Sequence, residues 1–156
     1  EILSKEIIQV GMKELAQLPL LLQQTLANVT EQRLDATYRE GSWTVRQLVH
    51  HLADSHMNIY IRFKLALTEQ NPTVKTFNEQ KWVELPDSHM PIEGSLKIIE
   101  GIHERWVYLL QQMHAEHLAR GFIHPETGTM ILAESIGYYA WHGKHHLAHI
   151  KKALDK

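Results

Sequence analysis

The sequence contains no cysteine, and this absence removes several kinds of chemistry. A chain without thiols forms no disulfide scaffold and offers neither a cysteine nucleophile nor cysteine ligands for zinc or iron–sulfur clusters. Proline and glycine are also scarce, at 5 and 8 of 156 residues, which excludes collagen-like and low-complexity chains. We therefore expect one globular domain over residues 1–156.

Long apolar runs and an excess of one charge are missing as well. No apolar stretch approaches the ~20 residues that cross a bilayer, and nothing near Glu1 resembles a signal peptide. The 16 basic residues nearly balance the 18 acidic ones, so no basic field indicates a nucleic-acid partner. We expect a soluble, cytoplasmic protein with no membrane or nucleic-acid partner.

The hydrophobic pattern follows the helical period along most of the chain and predicts four long amphipathic helices. They are predicted over residues 3–28, 44–68, 95–110 and 132–154. Pro19 is expected to bend or restart the first helix, because it lacks an amide donor. Thr44 and Gln47 are typical of a capping box at the start of the second helix, and Ser95 is expected to cap the third.

The connections between these helices differ in length. Residues 69–94 hold three prolines and are predicted to form a long crossover with a short helical piece at 78–85. Residues 122–131 surround a Pro/Gly turn and predict a short β-hairpin. Four amphipathic helices with one long crossover predict an all-α four-helix bundle.

Histidine is the residue in excess, with 12 copies. The fourth helix contains two pairs spaced four residues apart, His142/His146 and His145/His149, and either pair could chelate one ion from one helix face. A helical wheel places the first pair beside the apolar stripe and the second mostly toward solvent. We therefore select His142 and His146 as candidate ligands.

A catalytic zinc site usually has three protein ligands, and the second helix is the other segment rich in histidine. It carries His50, His51 and His56. The wheel places His56 near the centre of the apolar stripe, where a hydrogen-bonded core histidine is expected, with His51 on a flank and His50 facing outward. Periodicity alone does not decide which of them is a ligand.

Other histidines and aromatic residues receive structural interpretations. Three histidines on or just after the third helix are expected to be solvated: His103, His114 and His117. Five aromatic residues are expected to pack rather than bind a cofactor: Trp43, Trp106, Tyr138, Tyr139 and Trp141.

Residues 38–58, 121–127 and 141–150 resemble segments of the YfiT-type metal-dependent hydrolases, which belong to the DinB-like superfamily of four-helix bundles. The resemblance implies one metal ligand before Leu-Ala-Asp on the second helix, which here is His51. It implies two more with HxxxH spacing on the last helix, here His142 and His146. It also implies a homodimer.

Three neutral imidazoles favour zinc, or nickel, over magnesium and calcium, which predicts one divalent ion per chain. Water in a fourth position, with its pKa brought to about 7, would make the protein a metal-dependent hydrolase of a small-molecule substrate. The Glu of an H-E-x-x-H motif is replaced by Gly143. Asp54, one turn beyond His51, is therefore the candidate base or hydrogen-bond partner of an imidazole ligand.

Two other functions stay open. Related bundles in this superfamily resemble thiol transferases that use a low-molecular-weight thiol such as bacillithiol, and a metal would convert that thiol to its reactive thiolate. The thiol would come from outside, because the chain has no cysteine. The other alternative is a metal-binding bundle without catalysis, which a fourth protein ligand closing the site would favour.

Overall fold

The computed structural model describes residues 5–155 and contains the four long helices that the hydrophobic pattern predicts. The long helices are α1 (Lys5–Leu26), α2 (Val45–Thr68), α4 (Glu93–Gln111) and α6 (Leu132–Leu154). The shorter elements are α3 (Glu79–Val83), α5 (Ala115–Leu118), β1 (Gly121–His124) and β2 (Gly128–Ile131), with 3-10 turns at Gln32–Asp35 and Pro86–His89. The predicted four-helix bundle with a small hairpin is confirmed.

The arrangement of the helices places the two histidine-rich segments side by side. Helix α1 packs against α4 and α6, and α2 packs against the same two helices. The consecutive helices α1 and α2 therefore occupy opposite corners of the bundle. As a result, α2 shares an interface with α6, although the two are far apart in the sequence.

The predicted helix starts have different outcomes. The capping box is confirmed, because the Thr44 hydroxyl accepts a hydrogen bond from the Gln47 amide at 3.1 Å and the Gln47 side chain accepts one from the Thr44 amide at 2.9 Å. Ser95 is not a cap: α4 begins at Glu93, and the Ser95 hydroxyl bonds His50 instead. Helix α1 continues through Pro19 without restarting, and its predicted residues 3 and 4 lie outside the described residues.

The hairpin and the crossover are joined to each other. The strands are antiparallel, with His124 opposite Gly128, whose φ of +85° is a left-handed conformation that favours glycine. Ile123 accepts a hydrogen bond from the Val74 amide and donates one to the Pro72 carbonyl. The crossover thereby runs beside β1. Its helical piece is α3, which lies within the predicted range.

The core consists of two apolar clusters with a layer of histidines between them. The first cluster includes Phe63, Trp106 and Phe122, and the second includes Leu22, Val49 and Leu147. Along α2, α4 and α6, the residues His56, His103 and His142 fall between members of the two clusters. None of the helices formed by residues 5–155 is both long and apolar enough to cross a membrane.

Candidate metal centre

One histidine of α2 and two of α6 meet where these helices pack. His51, His142 and His146 each place one ring nitrogen within 4.8 Å of the others. The ring centres of His142 and His146, on successive turns of α6, are 4.5 Å apart, and the centre of the His51 ring is 4.9 Å from that of His146. The structure thus brings together the three residues that the resemblance indicated, in an arrangement that could hold one ion.

Burial keeps these three imidazoles neutral. Loss of hydration is the main cause, and like charge on neighbouring rings adds to it. Together they lower the pKa of His51 to about 3, that of His142 to about 4 and that of His146 to about 3. At neutral pH each ring therefore keeps a lone pair, which is the form of imidazole that binds a metal ion.

Two nitrogens at this centre lack a partner within residues 5–155. His51 Nε2 and His146 Nδ1 are buried and form no hydrogen bond there. A buried polar atom without a partner costs about 1–3 kcal/mol, so native structures rarely leave one unexplained. A cation bound among the three rings would account for both atoms, and the residues present therefore fit a metal ion.

The surroundings of the three rings are partly aromatic. The Trp43 ring lies 4.8 Å from that of His51, and Trp43 Nε1 donates a hydrogen bond to Gln80 Oε1 at 3.0 Å. Trp43 thus packs as predicted, but against the candidate centre. Among residues 5–155, no fourth His, Asp or Glu joins the mutually close group. The fourth protein ligand that would favour a non-catalytic bundle is not present in this part of the chain.

A chain of buried histidines connects the centre to α1. His103 Nδ1 lies 2.6 Å from the Leu15 carbonyl, His56 Nδ1 lies 2.6 Å from His103 Nε2, and His142 Nδ1 lies 3.3 Å from His56 Nε2. A carbonyl only accepts hydrogen bonds, so His103 Nδ1 donates. His103 Nε2 then accepts from His56, and His56 Nε2 accepts from His142. This order leaves the lone pair of His142 on Nε2.

Pro19 explains why the Leu15 carbonyl is available. In an α-helix this carbonyl would accept from the amide four residues later, but residue 19 is a proline and has no amide proton. His103 supplies the missing donor from α4. Pro19, which was expected to bend or restart the helix, therefore leaves free the carbonyl to which the first histidine of the chain donates.

His103 was predicted to be solvated, and this prediction is wrong: its exposed fraction is 1%. His56, in contrast, is a fully buried core histidine as predicted, and burial holds its pKa well below the usual value. Burial also lowers the pKa of His103 to about 4. A signal for His103 existed, because it lies four residues after Ile99 and three before Trp106, on the apolar stripe of α4.

Three further expectations about orientation are also wrong. His50 was expected to face outward, but it is buried, with Nε2 donating to the Met90 carbonyl at 2.9 Å and Nδ1 accepting from Ser95 at 2.6 Å. The crossover covers it, which no local pattern could indicate. Tyr138 and Trp141 were expected to pack, but they are 51% and 54% exposed.

The second histidine pair of α6 has different neighbours. His145 is exposed and stacks on Trp141 with ring centres 4.7 Å apart. His149 is half-buried because Tyr38 stacks on it at 4.0 Å with nearly parallel rings. Neither residue belongs to the group of mutually close nitrogens.

Gly143 shows that the glutamate of an H-E-x-x-H motif would point away from the histidines and would displace the Leu18 side chain. A Cβ atom at this position would lie 2.7 Å from Leu18 Cδ2 of α1, closer than real Cβ contacts. The position faces the α1–α6 interface rather than the histidines. A carboxylate for this centre would therefore have to come from another element.

Asp54 does not join the group of ring nitrogens. It is half-buried on α2, one turn after His51. Burial, together with the charge of Asp87 in the crossover, raises the pKa of Asp54 to about 6. Its carboxyl group therefore titrates close to neutral pH.

A cavity of about 390 Å³ lies beside His142. Its walls come from α2, the crossover, the hairpin and α6, and include Arg62, Glu79 and Tyr139. A larger groove of about 1060 Å³ lies between α1 and the end of α4 and is lined by none of the three candidate ligands. Position relative to the histidines, and not size, marks the smaller cavity as the candidate substrate site.

Sequence comparison with known proteins identifies the family that the three segments indicated. The family model described as the DinB superfamily matches residues 14–150. A protein of Bacillus cereus strain 03BB102, named "putative metal-dependent hydrolase", is 53% identical over 148 residues, which cover 95% of this chain and 86% of that protein. A protein of Bacillus thuringiensis subsp. konkukian strain 97-27 carries the same description and has the same identity and coverage.

Solved structures are similar as well. YfiT from Bacillus subtilis, described as "a probable metal-dependent hydrolase with an unusual four-helix bundle topology", is 44% identical with a TM-score of 0.94, over 98% of this chain and 89% of that chain. The mycothiol-dependent maleylpyruvate isomerase is 14% identical with a TM-score of 0.73, over 92% of this chain and 60% of that chain. The second likeness concerns the fold alone.

Proposed function

This chain belongs to the DinB superfamily, and from that premise we propose that it is a metal-dependent hydrolase in which His51, His142 and His146 hold one divalent ion. The resemblance inferred from three sequence segments is confirmed by the family match and by the likeness to YfiT. The proposed substrate is a small molecule that enters the cavity beside His142.

One observation carries the proposal: three neutral imidazoles converge while His51 Nε2 and His146 Nδ1 lack hydrogen-bond partners within the described chain. Nitrogen donors of this kind suit zinc or nickel better than magnesium or calcium, which prefer oxygen. We propose zinc, with nickel as the alternative. A zinc ion held by three protein ligands supplies an activated water whose pKa is lowered to about 7.

The chain's own residues would orient the ligands and accept a proton. The buried chain from His103 through His56 fixes His142 with its lone pair on Nε2. Asp54 is the proposed proton acceptor, because a carboxyl group with a pKa of about 6 is ionised at neutral pH yet basic enough to take a proton. Residues three apart on a helix lie on neighbouring parts of its surface, which supports a shared site for Asp54 and His51.

A thiol-dependent transferase is the second candidate. Its support is the fold shared with a mycothiol-dependent isomerase; the thiol would come from outside, because the chain has no cysteine. The proposed partner is then a low-molecular-weight thiol beside an electrophilic substrate. The expected homodimer and the cytoplasmic location stay predictions.

The test is an assay of the zinc-loaded full chain on a panel of esters and amides, with and without added cysteine as the thiol. We expect hydrolysis without thiol that is lost in His146→Ala and retained in His145→Ala, because only His146 belongs to the candidate centre. Turnover that requires both thiol and an electrophile would support the transferase instead. Equal turnover in the two variants would contradict both functions.

A further inference from the structure

Arg62 is a nearly buried cation in the cavity beside His142, with an exposed fraction of 8%. Its Nη2 donates a hydrogen bond to the Lys75 carbonyl at 2.8 Å, which ties the crossover to α2. The ion pairs formed within residues 5–155 are Arg46–Glu31, Arg46–Asp35 and Lys144–Glu14, so no carboxylate of this part of the chain pairs with Arg62.

Two other arginines of the chain show how the donors of a guanidinium are usually satisfied. Arg46, whose side chain is only 11% exposed, bonds the carboxylates of Glu31 and Asp35. Arg120 donates to the carbonyls of Ala66 and Glu69, both at 2.8 Å. A guanidinium has five N–H donors, and a buried charge is normally paired. Arg62 therefore has donors left over, on the wall of a cavity.

The neighbours of Arg62 define the cavity between it and His142. Tyr139 is close to both residues: its ring is 6.5 Å from that of His142, and Arg62, through its charge and a side-chain hydrogen bond, opposes the rise that burial causes in the pKa of Tyr139. The charge of Arg62 also opposes the rise in the pKa of Glu79. Glu79 and Glu126 line the same cavity.

Building on the proposed function, we propose that this cavity binds a small substrate through an anionic oxygen group, a carboxylate or a phosphate, held by Arg62, with the group to be hydrolysed lying against His142. A guanidinium matches either oxyanion with two parallel hydrogen bonds. A cavity of about 390 Å³ suits a small molecule. Glu79 and Glu126 would repel a second anionic group, so the substrate carries its negative charge at one end.

The experiment follows binding of three probes to the full chain by the NMR signal of the Arg62 side-chain Nε–H group. The probes are acetate, inorganic phosphate and the neutral acetamide. We expect acetate or phosphate to bind and acetamide not to bind, and the tighter of the two anions identifies the substrate group. With chemical shifts of other cavity residues as the readout, Arg62→Gln should weaken anion binding at least tenfold. Arg62→Lys, which keeps the charge but not the paired geometry, should weaken it less.

Two control variants make the result specific. Arg105→Gln removes the same charge from an exposed residue beside Tyr60 and should leave binding unchanged. His146→Ala should also retain anion binding, because the proposed contact is with Arg62 and not with a metal ion. Binding that disappears in His146→Ala, or that persists unchanged in Arg62→Gln, would overturn the proposal.

The result for the oxyanion site can be distinguished from the result for the proposed hydrolase. Anion binding at Arg62 without ester or amide hydrolysis would remove the hydrolase and keep the oxyanion site. Hydrolysis that is indifferent to Arg62→Lys and Arg62→Gln, in variants with unchanged zinc content and circular dichroism, would keep the hydrolase and remove this substrate class.

Discussion

Helix α6 carries two histidine pairs of identical spacing whose surroundings differ. His142 and His146 face α2, where His51 completes a group of nitrogens within 4.8 Å of one another. His145 and His149 lie three positions further along the helix, about 60° around it, against Trp141 and Tyr38. The two pairs have the same spacing, and the apolar pattern of α6 already separates them, but the residues that other elements place beside each pair decide which one can hold an ion.

The comparison shows that a histidine pair becomes a candidate metal centre through its neighbours. In the inner pair, His142 and His146, the first residue is held by a hydrogen-bonded chain that ends at a carbonyl of α1, whereas the outer pair, His145 and His149, makes ring contacts near the surface. Low hydration keeps the rings of His142 and His146 neutral, whereas His145 is exposed at the surface. Three experiments would break or sharpen this contrast.

The largest expected effect is a loss of stability in acid, caused by the histidines that lie between α2, α4 and α6. The five imidazoles of the candidate centre and the histidine chain, three of them buried and two half-buried, have a pKa below the unfolded value of 6.5, namely His51, His56, His103, His142 and His146. The unfolded chain therefore binds protons first, and the metal-free protein loses stability as pH falls from 6.5 toward 4. His103 alone, with its pKa of about 4, costs about 2 kcal/mol at pH 5.

The measurement is urea unfolding of the metal-free protein at pH 7, 6 and 5. Asp54 and Glu79 contribute with the opposite sign, because burial raises the pKa of both carboxyl groups and the folded state then binds their protons first, but they are two groups against five. His103→Gln should reduce the pH dependence, and His145→Gln, at an exposed position, should not. A free energy of unfolding that stays within about 1 kcal/mol from pH 7 to 5 would contradict the burial argument.

The next effect in size is on metal binding. His142→Ala removes one of three candidate ligands and should weaken zinc binding roughly a thousandfold or more, beyond the 10–100-fold that outer partners supply. His145→Ala is the matched control three positions further along the same helix and should change affinity less than about twofold. Zinc content and competition with a chelator, on protein without a histidine tag, give the answer. Equal losses in the two variants would reject the choice of pair.

The smallest of the three effects tests the buried chain. His103→Phe keeps a ring of similar size but removes both hydrogen bonds, so we expect zinc affinity to fall about 10–100-fold. His103→Gln can donate to Leu15 and accept from His56, and should restore most of the affinity. The nitrogen chemical shifts of His142 in the metal-free protein report its tautomer directly. An unchanged tautomer in His103→Phe would show that the chain does not position this ligand.

Local pattern was sufficient for the elements but not for every orientation. The 3.6-residue period predicted the four long helices, and Thr44 with Gln47 predicted a helix start that the structure confirms. His103 was wrongly predicted to be solvated, although it lies on the apolar stripe of its own helix, α4. His50 could not have been judged from α2, because the residue that covers it, Met90, comes from the crossover 40 positions later.

The sequence by itself determined the helical fold, the lack of a thiol within the chain and the two histidine pairs, because helical periodicity and composition can be read without knowing how the helices pack. Only the tertiary structure decided which nitrogens meet, since His56 and His142 are separated by 86 positions and touch only because α2 packs on α6. It also decided the use of Pro19, whose missing amide frees a carbonyl for a histidine 88 positions away from Leu15. Contacts at such separations depend on how the helices pack, and no local pattern encodes them.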